Sequence, residues 1–264
     1  MKGEFHSPSL EEEFFPGDWL GKWLIGDAGD WFAMDRLMFV RLLMAVIVGV
    51  FFIVAMRRPK LVPSGLQNVA EFFLDFVRIH IAEDILGKKE GRRFLPVIAT
   101  IFFLVFATNF AAVIPGLNIS PNARIGMPLV LALFAYVVFI YAGAKKYGFF
   151  SFVKSSVVIP NLPPVLHLIV VPIEIFSTFV LRPATLTIRL MANMLAGHMV
   201  LVLLFSATNF FFWQLNGWTA LSGLTLVASV LFTLFELLVI FLQAYIFALL
   251  CAVYIELSLH ADEH

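Results

Sequence analysis

The sequence predicts an all-α membrane protein with about five membrane-embedded helices and one interfacial amphipathic helix. The last two membrane helices are expected to be long, steeply tilted and antiparallel. Three observations carry this reading. Of 264 residues, 61% are apolar and 14% charged, against roughly 45–50% and about 25% in soluble domains. Thirty Phe and a mean hydropathy of +0.94 leave too little polar side chain to cover a water-exposed body. Uncharged tracts of membrane-crossing length recur from residue 37 onward. A water-soluble enzyme is thereby excluded. The 18 basic and 18 acidic side chains cancel, so no charge excess points to nucleic acid. The single Cys251 lies in an apolar run and cannot form an internal disulfide or a cysteine metal site. No cofactor or metal is expected.

Residues 1–35 form an acidic arm, with eight carboxylates (Glu4, Glu11, Glu12, Glu13, Asp18, Asp27, Asp30, Asp35) against Lys2 and Lys22. A cleavable signal needs a basic start with an apolar core close behind. The arm is therefore expected to stay on the chain, outside the membrane, with residues 36–264 as a single membrane domain. The run 37–56 is one bilayer thickness of helix, at about 20 residues per ~30 Å. It ends at Arg57, Arg58, Pro59 and Lys60, where bases reach headgroups and Pro blocks continuation.

The stretch 64–86 has the length of a span but carries Glu71, Asp75, Arg78, Glu83 and Asp84, each costly at the bilayer centre. Gln67, Glu71, Asp75 and Arg78 share one helical stripe, while Leu66, Phe73, Val77 and Ile81 lie off it. Ser64 with Gln67 reads as a capping box, and an interfacial helix fits. The second span is expected at 94–114, closed by Pro115-Gly116, and the third at 127–144. After Lys145, Lys146 and Lys154 come two apolar tracts, 164–205 and 217–258, parted by a polar turn at Asn216-Gly217. Each would run ~63 Å as continuous helix. In a ~30 Å core such a helix must break, leave the membrane or tilt by roughly 60°, and Pro172 and Pro183 are candidate bends. Lysine and arginine placement puts the 57–93 and 145–154 segments and the C terminus inside.

Within 164–258 the formal charges are Glu174, Arg182, Arg189, Glu236 and Glu256, accompanied by His167 and His198. Intramembrane charge is the functional signal in such a chain. After Arg189, 46 residues pass without another charge, so snorkelling from there is hard. One reading is a packing arginine satisfied by carboxylates or carbonyls. The other is an ion pathway or charge barrier, for which Arg suits because it stays cationic and cannot relay a proton. Asn193 and Arg182 share its helical stripe. Arg182 adjoins Pro183 and reads as an anchor toward the inner side. If the last tracts pair as an antiparallel hairpin, His198 comes level with Glu236, and Arg189 with Gln243. Glu236 and Gln243 share a face whereas Arg189 and His198 do not, so both pairings require bending or bridging water. Glu174 then comes level with Glu256 and His260.

The stretch Thr185-Leu-Thr-Ile-Arg189-Leu-Met-Ala-Asn193-Met-Leu-Ala-Gly-His198, followed by Phe235-Glu-Leu-Leu-Val-Ile-Phe-Leu-Gln243-Ala-Tyr-Ile-Phe247, resembles subunit a of F-type ATP synthases. The likeness extends loosely through Thr108-Asn109 over about residues 35–258. It implies that Arg189 is a stator charge facing the carboxylates of a rotating c-ring, between two offset aqueous half-channels that carry protons. It further implies peripheral-stalk b subunits as partners, nucleotide chemistry on other subunits, and a bacterial plasma membrane in preference to a mitochondrial inner membrane. In some bacterial members the positions matching His198 and Glu236 hold Glu and His. Here they are exchanged, as a pair sharing protons would allow. Asn193, Gln243 and Asn109 resemble polar lining positions. Glu174 matches the inner half-channel acid with an offset of one residue, and Ala112 stands where members often have Asp. A secondary transporter or channel with a mid-membrane site is the alternative, for which inverted repeats are expected and none is apparent. No catalytic motif supports an intramembrane enzyme.

Overall fold

A computed structural model describes residues 36–114, 121–148, 152, 164–214 and 219–260. At 36 and 164–169 the backbone but not the side chain is described, which leaves out His167. The acidic arm, the Pro115-Gly116 helix end, Lys154 and the Asn216-Gly217 turn lie outside the described residues.

Every regular element among the described residues is helical. Helix α1 is Arg36–Met56, and α2 is Leu66–Val77, prolonged by a π-helical turn Arg78–Glu83 into α3, Asp84–Phe110. A 3₁₀ turn, Pro121–Ala123, precedes α4, Gly126–Tyr147. Helix α5, Pro164–Phe176, passes through a second π-helical turn, Ser177–Leu181, into α6, Arg182–Trp213. Helix α7 is Thr219–Leu259. Among the described residues, five stretches are long and apolar enough to cross a membrane: Leu37–Met56, Leu66–Phe110, Gly126–Tyr147, Val170–Trp213 and Thr219–Leu259.

The expected interfacial segment and second span are two helices meeting at Gly87, whose backbone leaves the helical region (φ 73°, ψ 168°). Glycine adopts that conformation without the Cβ clash other residues meet. In α2 the polar stripe organises itself: Gln67 Nε2 donates to Glu71 Oε1 (2.7 Å), and Arg78 pairs with Asp75 (3.1 Å). Leu66, Val69 and Phe72 stand exposed. The Ser64–Gln67 capping box is not formed. Helix α2 has Gly65 at its N-cap with no side-chain cap bond. Gln67 instead accepts from the Lys60 amide (3.1 Å) and donates to the Lys60 carbonyl (3.0 Å), pinning the connector. Gln67 stands at the second helical position rather than the third, so its amide reaches the incoming chain instead of the cap residue.

Pro172 leaves α5 helical, and the irregularity falls at Ser177–Leu181, just before Pro183. Pro183 has no N–H for the preceding turn and its ring crowds the carbonyl four residues back. A π turn is one way for a helix to absorb such a mismatch.

The chain divides into two compact units. The first takes in the chain up to Val48, Phe106–Arg124 and Leu190–Gln243. In it Val40, Met44 and Ala111 form an apolar cluster, and the Arg41 guanidinium donates to the Pro121 carbonyl (3.1 Å). Helices α6 and α7 run antiparallel there: Thr208 bonds Thr225 (2.9 Å) and Asn193 bonds Gln243 (2.8 Å), so partner numbers fall as numbers rise.

The second unit comprises Gly49–Val105, Ile125–Arg189 and the chain from Ala244 on. Its centre is aromatic. Phe139 and Phe152 are buried against Tyr136, Ile140, Tyr147 and Tyr254, and Phe76 meets Phe102 and Tyr245. The Ser258 hydroxyl donates to the Phe139 carbonyl (2.8 Å), and Lys146 and Tyr147 both donate to the carbonyl of Leu259, tying α4 to the end of α7.

Candidate functional site: a polar seam and an exposed arginine

In the first unit, polar side chains recur along α7 at 222, 225, 229, 233, 236 and 243, three, four or seven residues apart, which keeps them on one face. Ser222 and Ser229 are buried, as are Glu236 and Gln243, each 2% exposed. Toward the α6–α7 connection the seam is made of hydroxyls. Thr208 donates to Thr225, Ser222 donates to the Thr208 carbonyl (3.3 Å), and Ser229 and Thr233 bond carbonyls one turn back in α7. Further along, the Glu236 carboxylate rests on the bare face of Gly197. A Cβ built there would lie 2.7 Å from Oε1. His198, the next residue, is also buried. Neither Glu236 oxygen has a hydrogen-bond partner among the described residues. Buried polar groups are nearly always satisfied, and this carboxylate is an exception among the described residues. The seam ends where Gln243 Oε1 accepts from Asn193 Nδ2.

A second buried polar group in the same unit joins α3 to the 3₁₀ turn. Asn122 Nδ2 donates to Thr108 Oγ1 (2.7 Å) and Asn109 Oδ1 (2.5 Å), with all three residues fully buried.

In the second unit, Arg189 is exposed on α6, and no carboxylate among the described residues forms an ion pair with it. Thr185 and Ile188 are exposed near it, and Ala192, Asn193 and Ala196 continue the exposed side of the helix. Glu174 Oε1 accepts from the Thr178 hydroxyl (3.1 Å) and lies 3.9 Å from Arg182 Nη2. Glu256 is paired with His260 (2.9 Å). Glu174 and Glu256, expected at one level, thus have different partners.

The pattern of the ATP synthase A chain family matches residues 37–256. The chain belongs to that family. It is 64% identical to ATP synthase subunit a of Rhodococcus erythropolis over 262 residues, covering 99% of this chain and 93% of the relative. It is 37% identical to the Streptomyces lividans subunit a over 262 residues (98% and 89% covered). With the Pseudarthrobacter chlorophenolicus subunit a it shares 36% over 266 residues (99% and 96%). With five stretches among the described residues able to cross a membrane, this member of the ATP synthase A chain family is a multi-pass membrane protein.

Among the residues singled out in this family member, the structure joins Asn193 to Gln243 and seats Glu236 beside Gly197-His198. Asn109 belongs to the separate α3 group. Sequence reasoning passed over Arg41, Asn122 and the hydroxyls of α7. The hydroxyls left a signal: their three-to-four-residue spacing runs in phase with Glu236. Asn122 left little, because an Asn beside Pro in a connector reads as turn chemistry.

Proposed function

We propose that this chain is the proton-translocating stator subunit in the membrane sector of an F-type ATP synthase of a bacterial plasma membrane. It forms two half-channels to a rotating c-ring, is held by peripheral-stalk b subunits, and leaves nucleotide chemistry to partner subunits. The observation that carries this reading is Arg189: a permanent cation, exposed and without a carboxylate partner among the described residues, in a stretch able to cross a membrane. A charge costs too much in lipid to stand there without use.

A passing ring carboxylate supplies the missing anion. At about 4 Å and an effective dielectric of 20 the attraction is roughly 4 kcal/mol, enough to favour the ionised form beside Arg189. In lipid only the neutral acid is stable. A proton entering from outside along Glu236, His198 and the Asn193–Gln243 end of the seam neutralises the carboxylate, which then turns into lipid. On its return the carboxylate meets Arg189 and gives its proton to the inner side, where Glu174 is the acceptor. Arg189 holds its own proton too tightly to short-circuit the two paths. Each proton crossing yields about 2.3 kcal/mol per 100 mV.

The test is coupled ATP synthesis and proton flux in reconstituted complexes carrying wild-type chain, Arg189→Ala or Arg189→Lys at fixed imposed potential. Loss of coupling in assembled Arg189→Ala complexes is expected. Retained synthesis would return Arg189 to a packing role.

A further inference from the structure

Glu174 and Arg182 stand eight residues apart on one helical run. On a regular α-helix that spacing rotates the two side chains roughly 80° apart, at about 100° per residue. The structure nonetheless places Glu174 Oε1 and Arg182 Nη2 3.9 Å apart. The π-helical turn Ser177–Leu181 between them explains the contact. A π turn takes up one extra residue, so eight residues act as seven and the offset falls to about 20°. Arg189, seven residues after Arg182, continues the same stripe. Glu174, Arg182 and Arg189 thus fall on one stripe in the fold.

Arg182 is itself held. Its guanidinium lies over the Tyr254 ring (5.5 Å to the centroid) and near that of Phe139 (6.0 Å), from α7 and α4. Stacking of this kind favours Arg over a less directional cation. Thr178, in the π turn, donates to the same oxygen that Arg182 approaches, so both contacts fall on Oε1. The side chains remain 25% and 31% exposed for Arg182 and Glu174, so water can reach the pair. That exposure leaves the Glu174 carboxylate within reach of water for proton exchange.

We propose that Arg182 is a positioning residue for inner-side proton release: it and the π turn hold Glu174 by Oε1 on the stripe of Arg189, leaving Oε2 to take the proton. The ring carboxylate gives up a proton, Glu174 Oε2 accepts it, and water on the inner side removes it, restoring the carboxylate. This rests on the proposed function above.

The experiment measures passive proton conductance and complex assembly in reconstituted membrane sectors carrying Arg182→Gln, Arg182→Lys, Glu174→Gln, the double variant Glu174→Gln/Arg182→Gln, or Arg189→Ala. Arg182→Gln should cut conductance by roughly tenfold to a hundredfold, the range for about 1 Å of misplacement. The double variant should match Glu174→Gln, and Arg182→Lys, which keeps the charge but not the planar stack on Tyr254, should recover only part of the flux. Wild-type conductance in Arg182→Gln, losses that multiply in the double variant, or failure of Arg182→Gln alone to assemble would overturn the proposal. Retained proton-driven ATP synthesis in complete complexes carrying Arg189→Ala, measured alongside, would strike the underlying reading instead.

Discussion

A single methyl group at residue 197 tests whether the position of the Glu236 carboxylate matters, without replacing any titratable group. A Cβ at Gly197 would sit 2.7 Å from Oε1, 3.0 Å from Cδ and 3.2 Å from Oε2, where ordinary contact begins at 3.4 Å. The carboxylate must therefore withdraw by about 0.7 Å. Since about 1 Å of misplacement at a reacting group costs up to 10²-fold, Gly197→Ala should slow proton flux between about 10- and 100-fold. Stability should scarcely change. Replacing a mid-helix Gly gains roughly 0.5–1 kcal/mol, and pushing one side chain off its rotamer costs about 0.5–1.5 kcal/mol. Gly223→Ala is the control, because nothing lies within 4 Å of its Cβ position. It receives the helix gain and no displacement. Flux is read in proteoliposomes under an imposed pH gradient, with Glu236→Gln setting the scale of full loss. Equal flux in Gly197→Ala and Gly223→Ala complexes would refute the argument that Glu236 works from this position.

Two further substitutions probe the scaffold. A Cβ at Gly143 would run into the Phe152 ring and the Ser258 hydroxyl, so Gly143→Ala should destabilise the complex by about 1–3 kcal/mol through overpacking, visible as a lower thermal midpoint. Asn122→Ala removes the donor to Thr108 and Asn109. It should cost about 1–3 kcal/mol for the buried Asn109 oxygen that loses this donor, seen as loss of the folded complex at lower denaturant.

Hydropathy made α1 and α4 legible within a few residues, because a predominantly apolar run of one bilayer thickness leaves few other readings. The charges of 64–86 set that segment apart from 94–114 in the sequence, and Gly87 supplies the conformation that separates the two helices. The antiparallel pairing of α6 with α7 was also legible, since polar positions on two long tracts had to find each other. What escaped was geometry that carries no composition. A π turn inserts one residue and leaves no mark beyond a proline nearby, so the partnership of Glu174 with Arg182 could not be read from spacing; regular helix counting argued against it. Gln67 escaped for a related reason. Its amide suits a cap and a clasp equally, and only the path of the preceding connector decides between them. Arg41 was hidden by the apolar residues around it, and its acceptor is a backbone carbonyl, which no sequence pattern reveals.

The seam on α7 recurs at intervals averaging three and a half residues, whereas a straight helix turns once in about 3.6. Over the three heptads from Ser222 to Gln243 a straight α7 would carry the seam about 60° off the α6 side. Thr225, three residues after Ser222, already stands about 60° from it and still bonds Thr208 on α6, so a drift of that size stays within reach of the partner helix. The seam is therefore a band on α7 rather than a single line. A single-residue insertion between Ser229 and Glu236 would throw its far half about 100° around the helix, while a four-residue stutter would move it only about 40°.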